Sequence, residues 1–195
     1  SARGRYVAFL DDDDAWYPFK LERQVATFDS VEPSVSLVYG GFRRVDEAGR
    51  SVDRIANGTA HLWPQLLLKN GIGTTSVVVC RREALLSVGG FDERLPSMQD
   101  YDLYIRLAQK YPFAWVEEIL LDKHNHSGAA IGKDPVRVLQ ANELFYDKHR
   151  SLIEADRSVH HKRLAWYGIH ALRAGKIGQG RALLLRAWLL KPWAL

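Results

Sequence analysis

The sequence predicts an α/β fold that ends in an α-helical hairpin. Short apolar runs typical of strands alternate along the chain with segments whose apolar residues recur at helical spacing. The content of 47% hydrophobic and 26% charged residues among 195 is that of a globular protein with a substantial core. No stretch approaches the ~18 consecutive apolar residues of a membrane-spanning helix.

The chain opens with a strand, an acidic turn and a helix. Residues 5–10 form an apolar run that predicts a short buried strand, and four aspartates at 11–14 follow it directly. A stripe that includes Leu21 and Phe28 then predicts a helix at 18–29. The later pattern predicts strands at 35–42, 74–80 and 113–121, a polar hairpin at 46–50, and helices at 61–69, 82–88, 103–111 and 136–155.

Charge is distributed unevenly along the chain. Eight of the 27 Lys and Arg residues lie from position 157 onward, where there is no Asp or Glu, so the first 156 residues carry 19 basic and 23 acidic side chains. This division predicts two units with different partners, a core at 1–135 and a C-terminal helical region at 136–195. Helices at 165–174 and 182–190 resemble one tetratricopeptide unit at most, and a hairpin that packs on the main domain explains the pattern equally well.

The single cysteine, Cys80, lies in the apolar run 76–80, which predicts a buried thiol. One cysteine can form neither a disulfide within the chain nor a metal site of its own, and both facts favour a reducing compartment. We therefore expect a cytoplasmic protein. Peripheral contact of the basic tail with the inner face of the membrane is a further expectation.

The tryptophans of the basic tail allow two interpretations. Trp166, Trp188 and Trp193 lie near Arg186 and Lys191, and these residue types are favoured at a membrane interface. The alternative is that the tryptophans belong to the core. Nucleic acid is not expected as a partner, because the basic residues lie among leucines and tryptophans and no recognised nucleic-acid motif is present.

The four aspartates at 11–14 predict a cation site. Their carboxylates repel one another, and no basic residue follows until Lys20. Oxygen ligands suit Mg²⁺ or Mn²⁺, which also bind phosphates, and ligands of open α/β sheets lie beyond the carboxyl ends of strands. A solvated acidic turn is the alternative interpretation, but Trp16, Tyr17 and the helix that follows indicate an ordered segment.

A second acidic junction contains Asp100 and Asp102. Asp100 lies just before a predicted helix and Asp102 in its first turn, so capping and the helix dipole can explain both carboxylates without any chemistry. An inverting displacement at a sugar carbon offers another explanation. That reaction needs a metal to stabilise the leaving diphosphate and a separate carboxylate base to accept the proton of the acceptor hydroxyl.

Three segments together resemble the inverting family 2 glycosyltransferases of GT-A fold. The stretch 6–24, with its four aspartates, resembles the metal-binding strand and helix of that family, and 74–93 resembles the acceptor-side strand and loop. The stretch 99–103, Gln-Asp-Tyr-Asp-Leu, resembles the family's Glu-Asp-Tyr-Asp-Leu motif. The resemblance covers about residues 3–130 in order and spacing, and it implies a partial, GT-A-like mixed sheet flanked by helices.

The resemblance also implies roles for the aspartates of the acidic turn. Asp11 and Asp13 match the two acidic positions of the DxD signature, with Asp13 as the more direct metal ligand and Asp11 facing the ribose or the donor sugar. Asp11 and Asp12 are thereby expected to bind the donor. The metal site is expected to comprise Asp13, Asp11 and His126, the last of which resembles a histidine in the loop that closes over the diphosphate.

For the second junction, the resemblance implies that Asp100 is the catalytic base. Gln99 stands where the family usually has a glutamate, which affects what that glutamate does for the acceptor but not the base. The family's N-terminal nucleotide-binding strand has no counterpart in the sequence. We therefore expect this chain to be the C-terminal metal and acceptor portion of such an enzyme.

The implied activity is transfer of a sugar, with inversion, from a nucleotide-diphosphate donor to a hydroxyl acceptor, with Mn²⁺ or Mg²⁺ as cofactor. The implied acceptor is a glycan or a lipid-linked molecule of the cell envelope. An alternative from another class is a non-catalytic, cation-binding scaffold fragment whose hairpin docks on a partner or a membrane. A different metal-dependent phosphoryl transferase has less support, because the sequence contains no Gly-rich phosphate loop of the P-loop type.

Overall fold

The structure, a computed structural model, describes residues 2–56, 58, 62–124 and 134–192. Its strands are β1 (Tyr6–Ala8), β2 (Asp14–Trp16), β3 (Leu37–Val45), β4 (Ser51–Arg54), β5 (Val79–Arg81) and β6 (Phe113–His124). Its helices are α1 (Lys20–Ser30), α2 (Arg82–Ser87), α3 (Gln99–Ala108), α4 (Pro135–Lys148), α5 (Arg150–Glu154), α6 (Arg157–Arg173) and α7 (Ile177–Leu190). The alternation of strands and helices confirms the predicted α/β class.

The strands form one mixed sheet in the order β1-β5-β3-β6-β2, with β4 paired to β3. β3 and β6 run parallel, whereas the other pairs are antiparallel. The predicted polar hairpin joins β3 to β4, where the amide of Asp46 donates to the carbonyl of Arg50. This mixed, helix-flanked sheet agrees with the GT-A-like expectation.

The core of the sheet lies under α1. Its apolar face buries Phe28 against residues of four strands and their flanking loops, and removing this surface from water is the main driving force for packing the helix there. The fully or nearly buried members of this cluster are Phe28, Val35, Val38, Val79, Ala114, Val116 and Leu120. Cys80 is completely buried, as predicted.

Two features of the first thirty residues differ from the sequence-based expectations. β1 is shorter than the predicted strand and only half-buried, because it lies at the edge of the sheet, and Leu10 beyond it is 52% exposed. The acidic turn does not lead directly into α1. Asp14 instead begins the short strand β2, which pairs with β6 so that Asp14 lies opposite Lys123.

The predicted strand at 74–80 is wrong in its first half. Thr75–Val77 form a 3-10 turn, and only Val79–Arg81 are extended. The apolar, β-branched sequence predicts a strand there, but tertiary hydrogen bonds draw the segment toward the acidic turn. The amide of Asp11 donates to Ser76 Oγ, and the indole of Trp16 donates to the carbonyl of Ser76.

The predicted single helix at 136–155 is two helices. α4 ends at Lys148 and α5 begins at Arg150, because His149 has φ −103° and ψ 16°, which interrupts the helical path. The predicted helix at 61–69 is reduced to a 3-10 turn at Gln65–Leu67 within the described residues. Residue 61 lies outside them.

Lys20, at the start of α1, is a completely buried cation. Its ammonium donates to Gln24 Oε1 at 2.7 Å and lies 4.2 Å from the centre of the Trp16 ring. Burial lowers the pKa of Lys20 from 10.5 to about 7, because the charged form loses its hydration. Gln24 in turn donates to the carbonyls of Val38 and Val77, so Lys20 belongs to a buried polar network between α1, β3 and the segment before β5.

We expect Lys20→Met to change how stability depends on pH. Between pH 7 and the ordinary lysine pKa of 10.5, the unfolded wild-type chain binds one more proton at Lys20 than the folded chain, so wild-type stability rises with pH. The methionine variant lacks this dependence. The free energy of unfolding of the wild type should therefore gain on that of the variant by up to about 1.4 kcal/mol per pH unit. Urea denaturation at pH 6, 7.5 and 9 measures it, and parallel pH profiles would contradict the assignment.

The chain divides into two compact units. The first contains the sheet, α1, α2 and the part of α3 from Leu103 onward. The second contains Leu67–Lys69, Asp92–Asp102 and the helices from α4 onward. The predicted boundary between 1–135 and 136–195 stays a prediction.

The C-terminal helical hairpin is confirmed as α6 and α7, both longer than expected. Glycines allow the two helices to approach closely, since a Cβ atom on Gly168 would lie 3.1 Å from the carbonyl oxygen of Gly180. Ala171 and Ala187 are fully buried in the hairpin. Among the described helices, none combines the length and the hydropathy that crossing a bilayer requires.

Candidate active site

The acidic turn brings three carboxylates together. Asp11 and Asp13 lie in the loop after β1, and Asp14 is the first residue of β2. One carboxylate oxygen from each of the three lies within 4.8 Å of the others. Asp12 is exposed and stands outside this triad. The structure thus places two of the predicted metal-site residues side by side and adds Asp14.

Asp11 is held by hydroxyl groups of residues 74–76, the segment that precedes β5. Thr74 Oγ1 donates to Asp11 Oδ2 at 3.0 Å, and Thr75 Oγ1 donates to Asp11 Oδ1 at 3.1 Å. The backbone amide of Asp11 donates to Ser76 Oγ at 2.9 Å. These bonds fix both the backbone and the carboxylate of Asp11, which leaves it oriented before any ligand arrives.

Asp14 is the buried member of the triad. Its side chain has no exposure to solvent, and neither carboxylate oxygen has a hydrogen-bond partner among the described residues. Burial raises the pKa of Asp14, and the charges of Asp11 and Asp13 raise it further, while the nearby Ser76 hydroxyl and the Lys123 ammonium oppose the rise. Lys123 Nζ lies 3.7 Å from Asp14 Oδ1, which is too long for a strong pair.

These residues fit a divalent cation. A buried carboxylate without hydrogen-bond partners is costly unless a cation compensates it, and two further carboxylates converge on the same point. An all-oxygen donor set is the one that Mg²⁺ and Mn²⁺ prefer. Lys123 also donates a long hydrogen bond of 3.5 Å to Thr74 Oγ1, so a positive charge already borders the site.

The second predicted site lies at the start of α3, in the second unit. Asp100 is partly exposed, and its Oδ1 accepts the amide hydrogen of Tyr101 at 2.7 Å. Asp102 is fully buried and forms an ion pair with Lys148, 2.8 Å away. The structural interpretation of Asp102 is therefore supported, whereas Asp100 is only partly buried.

Sequence reasoning missed one residue of the acidic turn and two residues that contact it. Asp14 was not assigned a ligand role, because the resemblance to the DxD signature assigned the two acidic positions to Asp11 and Asp13. Thr74 and Thr75 belong to the segment that resembles the acceptor-side strand and loop of the family. Their hydroxyls nevertheless donate to the carboxylate of Asp11. His126, predicted as a metal-site residue, lies outside the described residues.

The chain matches the model of a family described as "Glycosyltransferase like family 2" over residues 1–132. An uncharacterized glycosyltransferase of Rickettsia felis is 30% identical over 131 residues, which are 64% of this chain and 22% of that protein. Chondroitin synthase of Escherichia coli is 28% identical over 130 residues, 64% of this chain and 18% of that protein.

A third relative is the putative teichuronic acid biosynthesis glycosyltransferase TuaG of Bacillus subtilis. It is 35% identical over 83 residues, which are 42% of this chain and 32% of that protein. The matches therefore span less than a third of each of these relatives. The family match covers the sheet, the acidic turn and all of α3, and on that ground the chain belongs to the glycosyltransferase-like family 2.

Proposed function

We propose that this chain carries the metal and acceptor side of an inverting, nucleotide-sugar-dependent glycosyltransferase. The observation that carries the proposal is the acidic triad of Asp11, Asp13 and Asp14. One of its carboxylates is oriented by threonine hydroxyls, and another is buried with no hydrogen-bond partner among the residues that the structure describes. Membership of a glycosyltransferase-like family supports sugar transfer in general.

The residues of the triad have separate roles in this proposal. Asp13 and Asp14, together with Asp11, would hold Mn²⁺ or Mg²⁺. Asp11, which is held by Thr74 and Thr75, would also face the ribose or the donor sugar. The bound ion supplies neutralisation of the negative charge that develops on the departing diphosphate. Asp12 stays a predicted donor contact and His126 a predicted member of the metal site.

Asp100 acts as the base. Its carboxylate accepts the proton of the acceptor hydroxyl while the acceptor oxygen forms a bond to the anomeric carbon, and the bond from that carbon to the diphosphate oxygen breaks. Attack from the face opposite the leaving group inverts the configuration. Asp100 is a partly exposed residue in the first turn of α3, whereas Asp102 is fully buried, and this difference supports Asp100 over Asp102 as the base.

The proposed partners are a nucleotide-diphosphate sugar and a glycan or lipid-linked acceptor. The relatives named for chondroitin and teichuronic acid synthesis support a polysaccharide as the acceptor class. A cell-envelope glycan and a cytoplasmic location at the inner membrane face are part of the proposal.

Titration of Mn²⁺ into the full-length protein, with and without UDP, tests the proposal. Metal and diphosphate should bind cooperatively, so that saturating UDP tightens Mn²⁺ binding by at least about tenfold, which corresponds to a coupling of about 1.4 kcal/mol. Mn²⁺ binding that is indifferent to UDP would favour the alternative of a non-catalytic cation-binding scaffold. The absence of Mn²⁺ binding in either titration would contradict the metal site itself.

Peripheral contact with a membrane is a second candidate function, and exposed apolar residues on the hairpin favour it. Trp166 is 53% exposed and Trp188 is 45% exposed, so the interpretation of these two as core residues is wrong. Leu185 and Leu189 are exposed on the same face of α7 as Trp188, and the hairpin region is rich in Lys and Arg. Trp193 lies outside the described residues.

We expect Trp166→Gln combined with Trp188→Gln to weaken binding of the chain to vesicles containing anionic lipid. Loss of two interfacial aromatic side chains should reduce vesicle-bound protein at least about fivefold at low salt. A matched control is Val52→Gln on β4, which removes an apolar side chain that is 72% exposed in the first unit. Sedimentation with vesicles measures it, and equal binding by the double variant and the control would rule out this contact.

A further inference from the structure

The turn that enters α3 has an unusual backbone. Met98, directly before the helix, has φ +66°, a left-handed conformation that a side chain other than glycine adopts only when its surroundings hold it there. Its carbonyl accepts the amide hydrogen of Asp102 at 3.0 Å, which begins the helix. Contacts that hold this turn are made by the two residues after Asp100, Tyr101 and Asp102.

Asp102 provides the first anchor. Its side chain is fully buried, and its carboxylate receives Lys148 Nζ at 2.8 Å and His149 Nε2 at 2.9 Å. Lys148 also donates to Asp92 at 2.6 Å, so one ammonium joins both ends of the segment that leads into the helix. The buried carboxylate of Asp102 thus ties the first turn of α3 to both Lys148 and His149, and removing a partner of a buried charge costs free energy.

Tyr101 provides the second anchor. Its ring stacks on Phe145 of α4 with 5.1 Å between ring centres. Arg163 of α6 donates to the hydroxyl of Tyr101 and to the carbonyl of Leu67, and its guanidinium lies 5.0 Å from the centre of the Tyr101 ring. Arg163 is 7% exposed, so this contact is almost dry.

We propose that Lys148 and Arg163 are positioning residues that hold the turn carrying Asp100 in its working orientation. Asp100 is partly exposed, and its Oδ1 accepts the amide hydrogen of Tyr101, so the backbone of this turn contributes to the position of its carboxylate. The two residues that follow Asp100 are both fastened to helices beyond residue 132, where the family match ends. Helices α4 and α6 therefore take part in positioning the proposed base. This inference rests on the proposed role of Asp100 as the base.

Lys148→Met tests the first anchor in the full-length protein. The rate of sugar transfer should fall at least about tenfold while the KM for the donor stays within about twofold, because misplacement of a reacting group lowers kcat rather than donor binding. Lys148→Arg keeps the charge and should restore most of the rate. The matched control is Arg150→Met, which removes a neighbouring cation that pairs with the exposed Asp147 and should leave the rate unchanged. Equal rates for Lys148→Met and the control would overturn the proposal.

Arg163→Met tests the second anchor, and it should likewise lower kcat at least about tenfold while the KM for the donor stays within about twofold. Its control is Lys162→Met, a substitution at the exposed neighbouring residue. Equal rates for Arg163→Met and this control would overturn the role of the second anchor. Should Lys148→Met fail to fold, Asp102→Asn weakens the same pair without leaving a buried charge unpaired, because Lys148 keeps Asp92. Asp102→Asn should then show the same fall in kcat at unchanged donor KM. A folded Asp102→Asn variant with wild-type kcat would overturn the role of this anchor.

A double variant separates the positioning role from the base assignment. If Lys148 acts through Asp100, adding Lys148→Met to Asp100→Asn should lower the rate no further than about twofold. Additive losses would overturn the proposal. Hydrogen exchange of residues 96–104 should also become at least about tenfold faster in Lys148→Met than in the Arg150→Met control, and unchanged exchange would show that Lys148 anchors nothing. Faster exchange with an unaffected rate in Asp100→Asn would instead reject Asp100 as the base.

Discussion

Asp100→Asn should lower sugar transfer by at least about a hundredfold while leaving the fold intact. General-base catalysis contributes typically ~10²–10⁴-fold, or about 3–5 kcal/mol of the activation barrier, and an amide cannot accept the proton. The substitution preserves the shape of the side chain, and an asparagine oxygen can still accept the amide hydrogen of Tyr101 that Asp100 accepts in α3. The rate of transfer and the melting temperature of the full-length protein, with donor affinity, are the measurements that check it.

The matched control for this variant is Glu117→Gln, which neutralises an exposed carboxylate on β6 and should leave transfer and stability unchanged. Two results would count against Asp100 as the base. Lost stability with retained specific activity would make Asp100 a structural residue. Unchanged activity with unchanged stability would move the base elsewhere, and the buried Asp102 is then a poor candidate because it is already paired with Lys148 and His149.

Asp13→Ala should abolish the dependence of transfer on Mn²⁺ or Mg²⁺ and lower Mn²⁺ affinity by more than about a hundredfold. Removing only a residue that hydrogen-bonds to a metal ligand already lowers metal affinity ~10–100-fold, so removing a ligand should lower it further. Asp11→Ala should be less severe. Without metal, Asp13→Ala should not lower the melting temperature, because the charge of Asp13 raises the pKa of the buried Asp14, which shows that the two carboxylates repel. Calorimetry with Mn²⁺ and thermal unfolding in EDTA measure both effects.

An appropriate control for the metal site is Asp29→Ala, which removes an exposed carboxylate near the end of α1. This variant should bind Mn²⁺ as the wild type does. If Asp13→Ala retains wild-type activity and wild-type Mn²⁺ affinity, the assignment of the acidic turn is wrong. A melting temperature that falls in EDTA would show that Asp13 stabilises the turn without any ion.

Patterns that depend on neighbours along the chain predicted the fold well. The helical stripe through Leu21 and Phe28 gave α1 to within two residues at the start, because a buried helical face needs apolar residues three and four apart. The alternating elements indicated the α/β class, and the four aspartates after an apolar run indicated a candidate cation site. Each of these signals is local, so one sequence is enough to show it.

Features that depend on distant residues could not be predicted in the same way. The segment 74–77 has a sequence suited to a strand, yet hydrogen bonds with Asp11 and Trp16, about sixty residues away, bend it into a turn. The short strand β2 exists because β6 supplies its hydrogen bonds, with Lys123 opposite Asp14. Neither partner is visible from the three residues themselves.

The sequence by itself thus determined the fold class and the position of the acidic turn, because composition and periodicity are properties of nearby residues. The role of Asp100 is implied by the family resemblance and stays a prediction. Only the tertiary structure showed that Asp14 is the buried member of the triad and that Asp102 is an ion-paired anchor. Lys148 lies 46 residues from Asp102. The free energy of a buried charge depends on which partner the fold brings to it, and that choice is made by the packing of the whole unit.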